Sequence, residues 1–177
     1  MRKWKPRAIL GFLLAFCILF SAASFLHSSF SHYTVGEVPV SDVYYYKHLG
    51  ASRTYRKQIQ ELPESLLKTI HSITITDYEY SRFSHIKFST RNIFLIPEQE
   101  YVEFVVLHEA IHAFDSYYDV SASEDYRKAI VQDKFTETDD IRESFVTVMR
   151  FYVMFPDSCQ RIYPEIYRVI DGIVKGD

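Results

Sequence analysis

The stretch Val105-Val106-Leu107-His108-Glu109-Ala110-Ile111-His112-Ala113-Phe114-Asp115 constrains this chain more than any other. An apolar run of this length reads as a helix turned toward a core. His108 and His112 lie four residues apart, so on a helix they share one face and can present two imidazole nitrogens to a single ion. A buried polar side chain without a partner costs on the order of 2–7 kcal/mol, and an ion is one partner that satisfies both rings. The competing reading, a helix with two unrelated histidines, leaves those buried groups unexplained. Imidazole donors in a tetrahedral set favour zinc. Glu109 follows the first histidine directly, where it can accept a proton from a water at the ion.

The rest of the chain sets bounds on where such a site can operate. Arg2, Lys3, Lys5 and Arg7 precede a segment, Ala8 to Leu26, that carries no charge. Basic residues followed by an apolar stretch form the layout of a secretory signal, and Ser21-Ala22-Ala23 offers small residues for cleavage. A retained membrane anchor is the alternative, because 19 uncharged residues just span a bilayer. Both readings of residues 1–27 place the rest of the chain outside the cytoplasm, secreted or membrane-anchored. Without the four leading basic residues the formal net charge falls from −3 to −7. No basic stripe marks a nucleic-acid partner. The chain has two cysteines, Cys17 in the apolar segment and Cys159 near the end. A disulfide within the folded domain is therefore excluded, and that domain relies on packing and on any metal it holds.

Residues 28–50 are polar and mixed, with Gly36 and Pro39, and read as a tether. The run Tyr44-Tyr45-Tyr46 reads as an edge of the core. From residue 51 to 177 the pattern is that of one folded domain. Tyr55, Ile59 and Leu62, then Leu66, Leu67 and Ile70, recur at helical spacing on either side of Pro63, which predicts two short helices. Ile73 to Tyr80 alternates as a half-buried strand, and 86–88 and 93–96 read as two strands around a polar turn. A small antiparallel sheet is thus expected just before the metal helix, which reads as 98–118. A short helix is expected at 124–131. A strongly apolar one follows Asp140 and stops near Pro156, and a last one is opened by Pro164 and ended by Gly172. His32, His48, His71 and His85 are isolated and read as ordinary histidines.

A catalytic zinc takes three protein ligands and keeps one position open. Asp115 is near in sequence, but it stands about 10 Å along the helix from His108, too far for one ion. Its expected role is to fix a histidine or a neighbouring piece of backbone. Glu143 is the better candidate, because it opens the other strongly apolar helix and that helix must share the core. The competing reading makes Glu143 the partner of Asp140 in a capping box.

His108-Glu109-Ala110-Ile111-His112-Ala113-Phe114-Asp115, Glu143-Ser144-Phe145-Val146-Thr147 and Tyr163-Pro164 with Tyr167 together resemble the anthrax toxin lethal factor-like family of zinc metallopeptidases. The resemblance runs from about Leu62 to Ile173 and is concentrated in the first two motifs. It implies an α+β, mostly helical, zincin-like metallopeptidase domain. Zinc would be held by His108, His112 and Glu143, with Glu109 as general base acting on a protein or peptide substrate. The chain is separately expected to be a monomer. A sheet edge near the metal would hold the substrate as an added strand. Two positions depart from the family pattern. Thr147 stands where a further glutamate is usual, and Thr136 where a tyrosine is thought to stabilise the oxyanion. Tyr126 and Tyr152 are the candidates to replace that tyrosine.

Overall fold

The computed structural model describes residues 31–43, 49–76, 83–97, 102–135 and 139–176. Residues 1–27, Tyr44-Tyr45-Tyr46, His48 and Thr136, each with an expectation attached, lie outside these. Among the described residues are seven helices and a mixed five-stranded sheet, an α+β architecture. None of these helices is long and apolar enough to cross a membrane.

Strands β1 (Ser31–Val35) and β2 (Val38–Asp42) form an antiparallel hairpin in which Val35 faces Val38. Gly36 makes the two-residue turn possible at φ 57°, a backbone region that side chains with a Cβ rarely adopt. Val38 and Val40 are buried while Pro39 between them is exposed. The expectation of a tether over 28–50 is therefore corrected: residues 31–42 belong to the sheet, and the alternation Val-Pro-Val is what carries them in.

Helix α1 (Leu49–Gln60) buries Tyr55 and Ile59, and the single turn α2 (Glu64–Leu67) follows Pro63 and buries Leu66. The break at Pro63 falls where the sequence puts it. Strand β3 (Ser72–Ile75) buries Ile73 and Ile75 on one face. Strands β4 (His85–Lys87) and β5 (Asn92–Leu95) pair antiparallel around a turn in which Arg91 takes φ 52°.

The sheet order is β1-β2-β3-β5-β4. The pairs β2–β3 and β3–β5 run parallel, so the expected antiparallel sheet is mixed. The reason is the path after β3: the chain first lays down β4 at the edge, then brings β5 back into the gap between β4 and β3. Ile73, Ile75, Ile93 and Leu95 fill the buried face of these central strands, giving α3 (Val102–Tyr118) an apolar floor.

Helix α3 is apolar over most of its surface, with Val106, Ala110, Ile111, Ala113 and Phe114 buried, as suits a helix packed between other elements. Helices α4 (Glu124–Gln132), α5 (Ile141–Met154), α6 (Pro156–Ile162) and α7 (Pro164–Lys175) complete the fold. Phe145 of α5 stacks on Phe114 of α3 at 6.4 Å and meets the edge of Tyr126 of α4 at 5.3 Å. This aromatic contact fixes where the start of α5 lies against α3. Helix α6 has no counterpart in the sequence reading; it begins directly at Pro156 and buries Cys159. Gly172 lies inside α7 rather than at its end, and the left-handed residue that stops this helix is Gly176, at φ 77°.

Candidate metal centre

Helical spacing alone puts His108 and His112 on one face of α3, and their Nε2 atoms lie 3.2 Å apart. Helix α5 brings in the third group. Its N-terminus is capped by Asp140, whose side chain accepts from the Arg142 N–H at 2.9 Å. The Glu143 carboxylate points at the histidines instead, with oxygens 3.0 Å from His112 Nε2 and 3.7 Å from His108 Nε2. Asp140 caps this turn as the sequence reads it, and of the two readings for Glu143 the geometry shows its carboxylate facing the imidazoles.

Among the described residues, His108, His112 and Glu143 form the one group of His, Cys, Asp or Glu side chains able to hold an ion, with ligand atoms all within 4.8 Å of one another. Bonds of about 2.0–2.2 Å in tetrahedral array set donor atoms about 3.3–3.6 Å apart. The observed separations of 3.0, 3.2 and 3.7 Å bracket that spacing. The chemistry and geometry of the donor set fit zinc. Burial is uneven across the triad: the His112 side chain is 7% exposed, against 35% for His108 and 44% for Glu143. One side of the site is closed by protein and the other is open to solvent.

Glu109 is only 6% exposed. Burial, and the Glu143 carboxylate nearby, push its carboxyl up to about 7, against the lowering effect of a hydrogen bond donated by the Ile86 N–H. Strand β4 thus holds the side chain expected to act as base. Burial, then the neighbouring His112, lower the pKa of His108. The first metal-site histidine therefore favours the neutral form that binds an ion.

Three further side chains shape the centre without having stood out in the sequence. Phe88, just past β4, meets the His112 ring edge-on at 5.7 Å. The Arg142 guanidinium lies 5.0 Å from the centre of the Phe88 ring, within reach of a cation–π contact. Together they form a wall between β4 and the start of α5. Arg150, two turns along α5 from Glu143, acts electrostatically on His108. Arg142 and Arg150 flank the Glu143 motif in sequence, but charge there reads equally as a solvated helix face. Phe88 reads in the sequence as the last residue of a strand, opens the turn after β4 in the structure, and gives no local signal of the centre.

Asp115 is not part of the triad. Its two carboxylate oxygens accept from the Ser121 N–H and Oγ, each at 2.7 Å. It fixes the backbone after α3, one of the two roles the sequence suggested for it. Replacing Asp115 by Ala should lower the unfolding free energy by about 2–4 kcal/mol, because both Ser121 donors are left buried and unpaired. Urea denaturation measures this, and a loss under about 0.5 kcal/mol, the range of a surface change, would show that the turn is held by something else.

The other histidines of the described chain have unrelated surroundings. His32 Nδ1 lies 3.0 Å from Ser41 Oγ, and His85 stacks on Phe94 at 5.2 Å. Tyr152 donates its hydroxyl to Asp171 at 2.9 Å, and Tyr126 is fully buried. Comparison of the chain with protein-family models, curated proteins and solved structures finds no match.

Proposed function

We propose that this chain is an exported zinc-dependent endopeptidase, related in its site to the lethal factor-like metallopeptidases, with His108, His112 and Glu143 as zinc ligands and Glu109 as general base. The observation that carries the reading is the pairing of a three-donor cluster at near-tetrahedral spacing with a buried carboxylate on the residue next to one of the donors. A structural metal site needs no such base. When bound, zinc polarises a carbonyl and lowers the pKa of a water at its open position.

The protein's own groups supply the remaining steps. Glu109 accepts a proton from the attacking water and returns it to the leaving amine. The Ile86 N–H keeps that carboxylate oriented. The open side of the triad, next to His108 and Glu143, admits the scissile bond. Strand β4 is one of the two edge strands of the described sheet and carries the Ile86 donor, with Phe88 just beyond it. An extended peptide added to this edge would lie beside the base, held by main-chain hydrogen bonds.

A second reading is a zinc-binding extracellular module that cuts nothing, and one observation favours it. The two tyrosines available to replace the usual oxyanion donor are committed elsewhere, Tyr152 to Asp171 and Tyr126 to the core. Loss of an oxyanion donor costs about 3–4 kcal/mol of transition-state stabilisation in a well-studied protease. Digestion of a peptide library by the zinc-loaded protein separates the two readings. A peptidase yields fragments that disappear with a chelator and return with added zinc. A module that only binds zinc yields none.

A further inference from the structure

We propose that the groove between α3 and α5, one helical turn from the triad, is a substrate subsite that selects an acidic side chain, with Arg150 as its specificity-determining residue. The inference rests on the peptidase reading for its place in catalysis, and on the groove's own chemistry for its ligand. The groove is lined by Phe104, Thr147, Arg150, Phe151, Met154 and Phe155 and encloses about 310 Å³. Phe104, Met154 and Phe155 are large apolar residues left exposed on its walls. Arg150 is the one charged residue in the lining, its guanidinium 5.8 Å from the centre of the Phe104 ring. Among the described residues no carboxylate lies within ion-pair distance of it.

Position ties this groove to the triad. Phe104 is one helical turn before His108, and Thr147 one turn after Glu143, so the groove continues the faces that carry the ligands. Arg150 lies about 10 Å along α5 from Glu143 at 1.5 Å per residue. An extended peptide advances about 3.3 Å per residue, so the side chain that meets Arg150 belongs to a residue about three positions from the bond held at the metal. A guanidinium in an apolar channel calls for a planar anion with a short apolar stem. Glutamate supplies both: its carboxylate pairs with Arg150 and its methylenes lie on Phe104 and Phe151.

The test uses capped fluorescent hexapeptides in pairs that differ only by Glu or Gln at one position, with the zinc-loaded full chain. Binding by fluorescence anisotropy and hydrolysis by mass spectrometry are read on the same peptides. The Glu peptide should bind about tenfold tighter than its Gln partner at one position, as a charge-assisted pair predicts. R150Q should abolish that preference, R150K should retain part of it, and R150E should shift it toward Lys. Wild-type protein with no Glu preference at any position overturns the proposal, as does a preference that survives in both R150Q and R150E. Glu-selective binding without hydrolysis removes the peptidase reading and leaves the acid-selective groove standing. Hydrolysis without Glu selectivity removes the groove alone.

Discussion

Zinc-loaded protein carrying Glu109→Gln should keep its metal and lose hydrolysis by about 10²–10⁴-fold, the usual contribution of a positioned general base. The substitution conserves shape and removes only the ability to take a proton. Glu109 stands outside the triad: its carboxylate meets the Ile86 N–H, while Glu143 is the third group that could hold an ion. Zinc content should therefore be unchanged, and hydrolysis at the wild-type rate would reject Glu109 as the base. A stability measurement on chelated protein gives an independent check. Burial raises the carboxyl of Glu109 from 4.5 to about 7. The folded state therefore binds this proton more tightly than the unfolded chain does. Its contribution is present below the unfolded value of 4.5 and is lost as pH rises through about 7. Above that, ionised Glu109 weakens the fold by on the order of 3 kcal/mol relative to its protonated form. In the absence of metal, Glu109→Gln should thus be more stable than wild type at pH 8, and the two should converge near pH 4. A catalytic group that costs the fold stability behaves this way; a carboxylate placed for structure does the reverse.

Glu143→Ala should abolish tight zinc binding and leave the fold intact. Glu143 is the only donor the second helix contributes, and without it the two imidazoles 3.2 Å apart face solvent on the open side. Its carboxylate is nearly half exposed, whereas the contact that anchors α5 is made two residues on by Phe145 against Phe114 and Tyr126. Truncating Glu143 therefore removes a ligand without opening a core cavity. Loss of a group that merely supports a ligand typically lowers metal affinity 10–100-fold, and loss of the ligand itself should exceed about 100-fold by the same measure. Competition with a chromophoric chelator reads this directly, with circular dichroism as the control for folding. Wild-type zinc affinity in the variant would remove Glu143 from the centre. In the unaltered protein, affinity should fall on acidification, because protons compete with the ion for its ligand atoms.

The features legible in the sequence are those that local spacing decides. Four residues between His108 and His112 fix their common face whatever surrounds the helix. Pro63 marks the break between α1 and α2, and Asp140 announces the start of α5. Glu143 is legible only by a longer step: a buried pair of imidazoles asks for a third donor, and the other strongly apolar helix has an acid at its head. What stayed hidden depends on contacts far apart in the chain. The residues of β3 and β5 do not encode whether the strands run parallel; that follows from where β4 is laid down. The β1–β2 hairpin is hard to read because Val38 and Val40 are its only deeply buried apolar residues, amid polar neighbours. Gly172 reads as a helix end, yet α7 continues because its buried face, with Ile166 and Ile170, holds the turn in place and Gly176 can stop it later. Phe88 and Arg150 gain meaning only from the histidines and the groove beside them.

The central claim, one ion held by His108, His112 and Glu143 with a position left for solvent, is tested most directly by the zinc absorption edge of the purified protein. The account predicts one zinc per chain, bound by two imidazole nitrogens and a carboxylate oxygen at about 2.0–2.2 Å, with one further light atom that azide or a hydroxamate displaces. A spectrum lacking the two imidazoles, one containing sulfur, or one showing four protein ligands and no exchangeable position would contradict it.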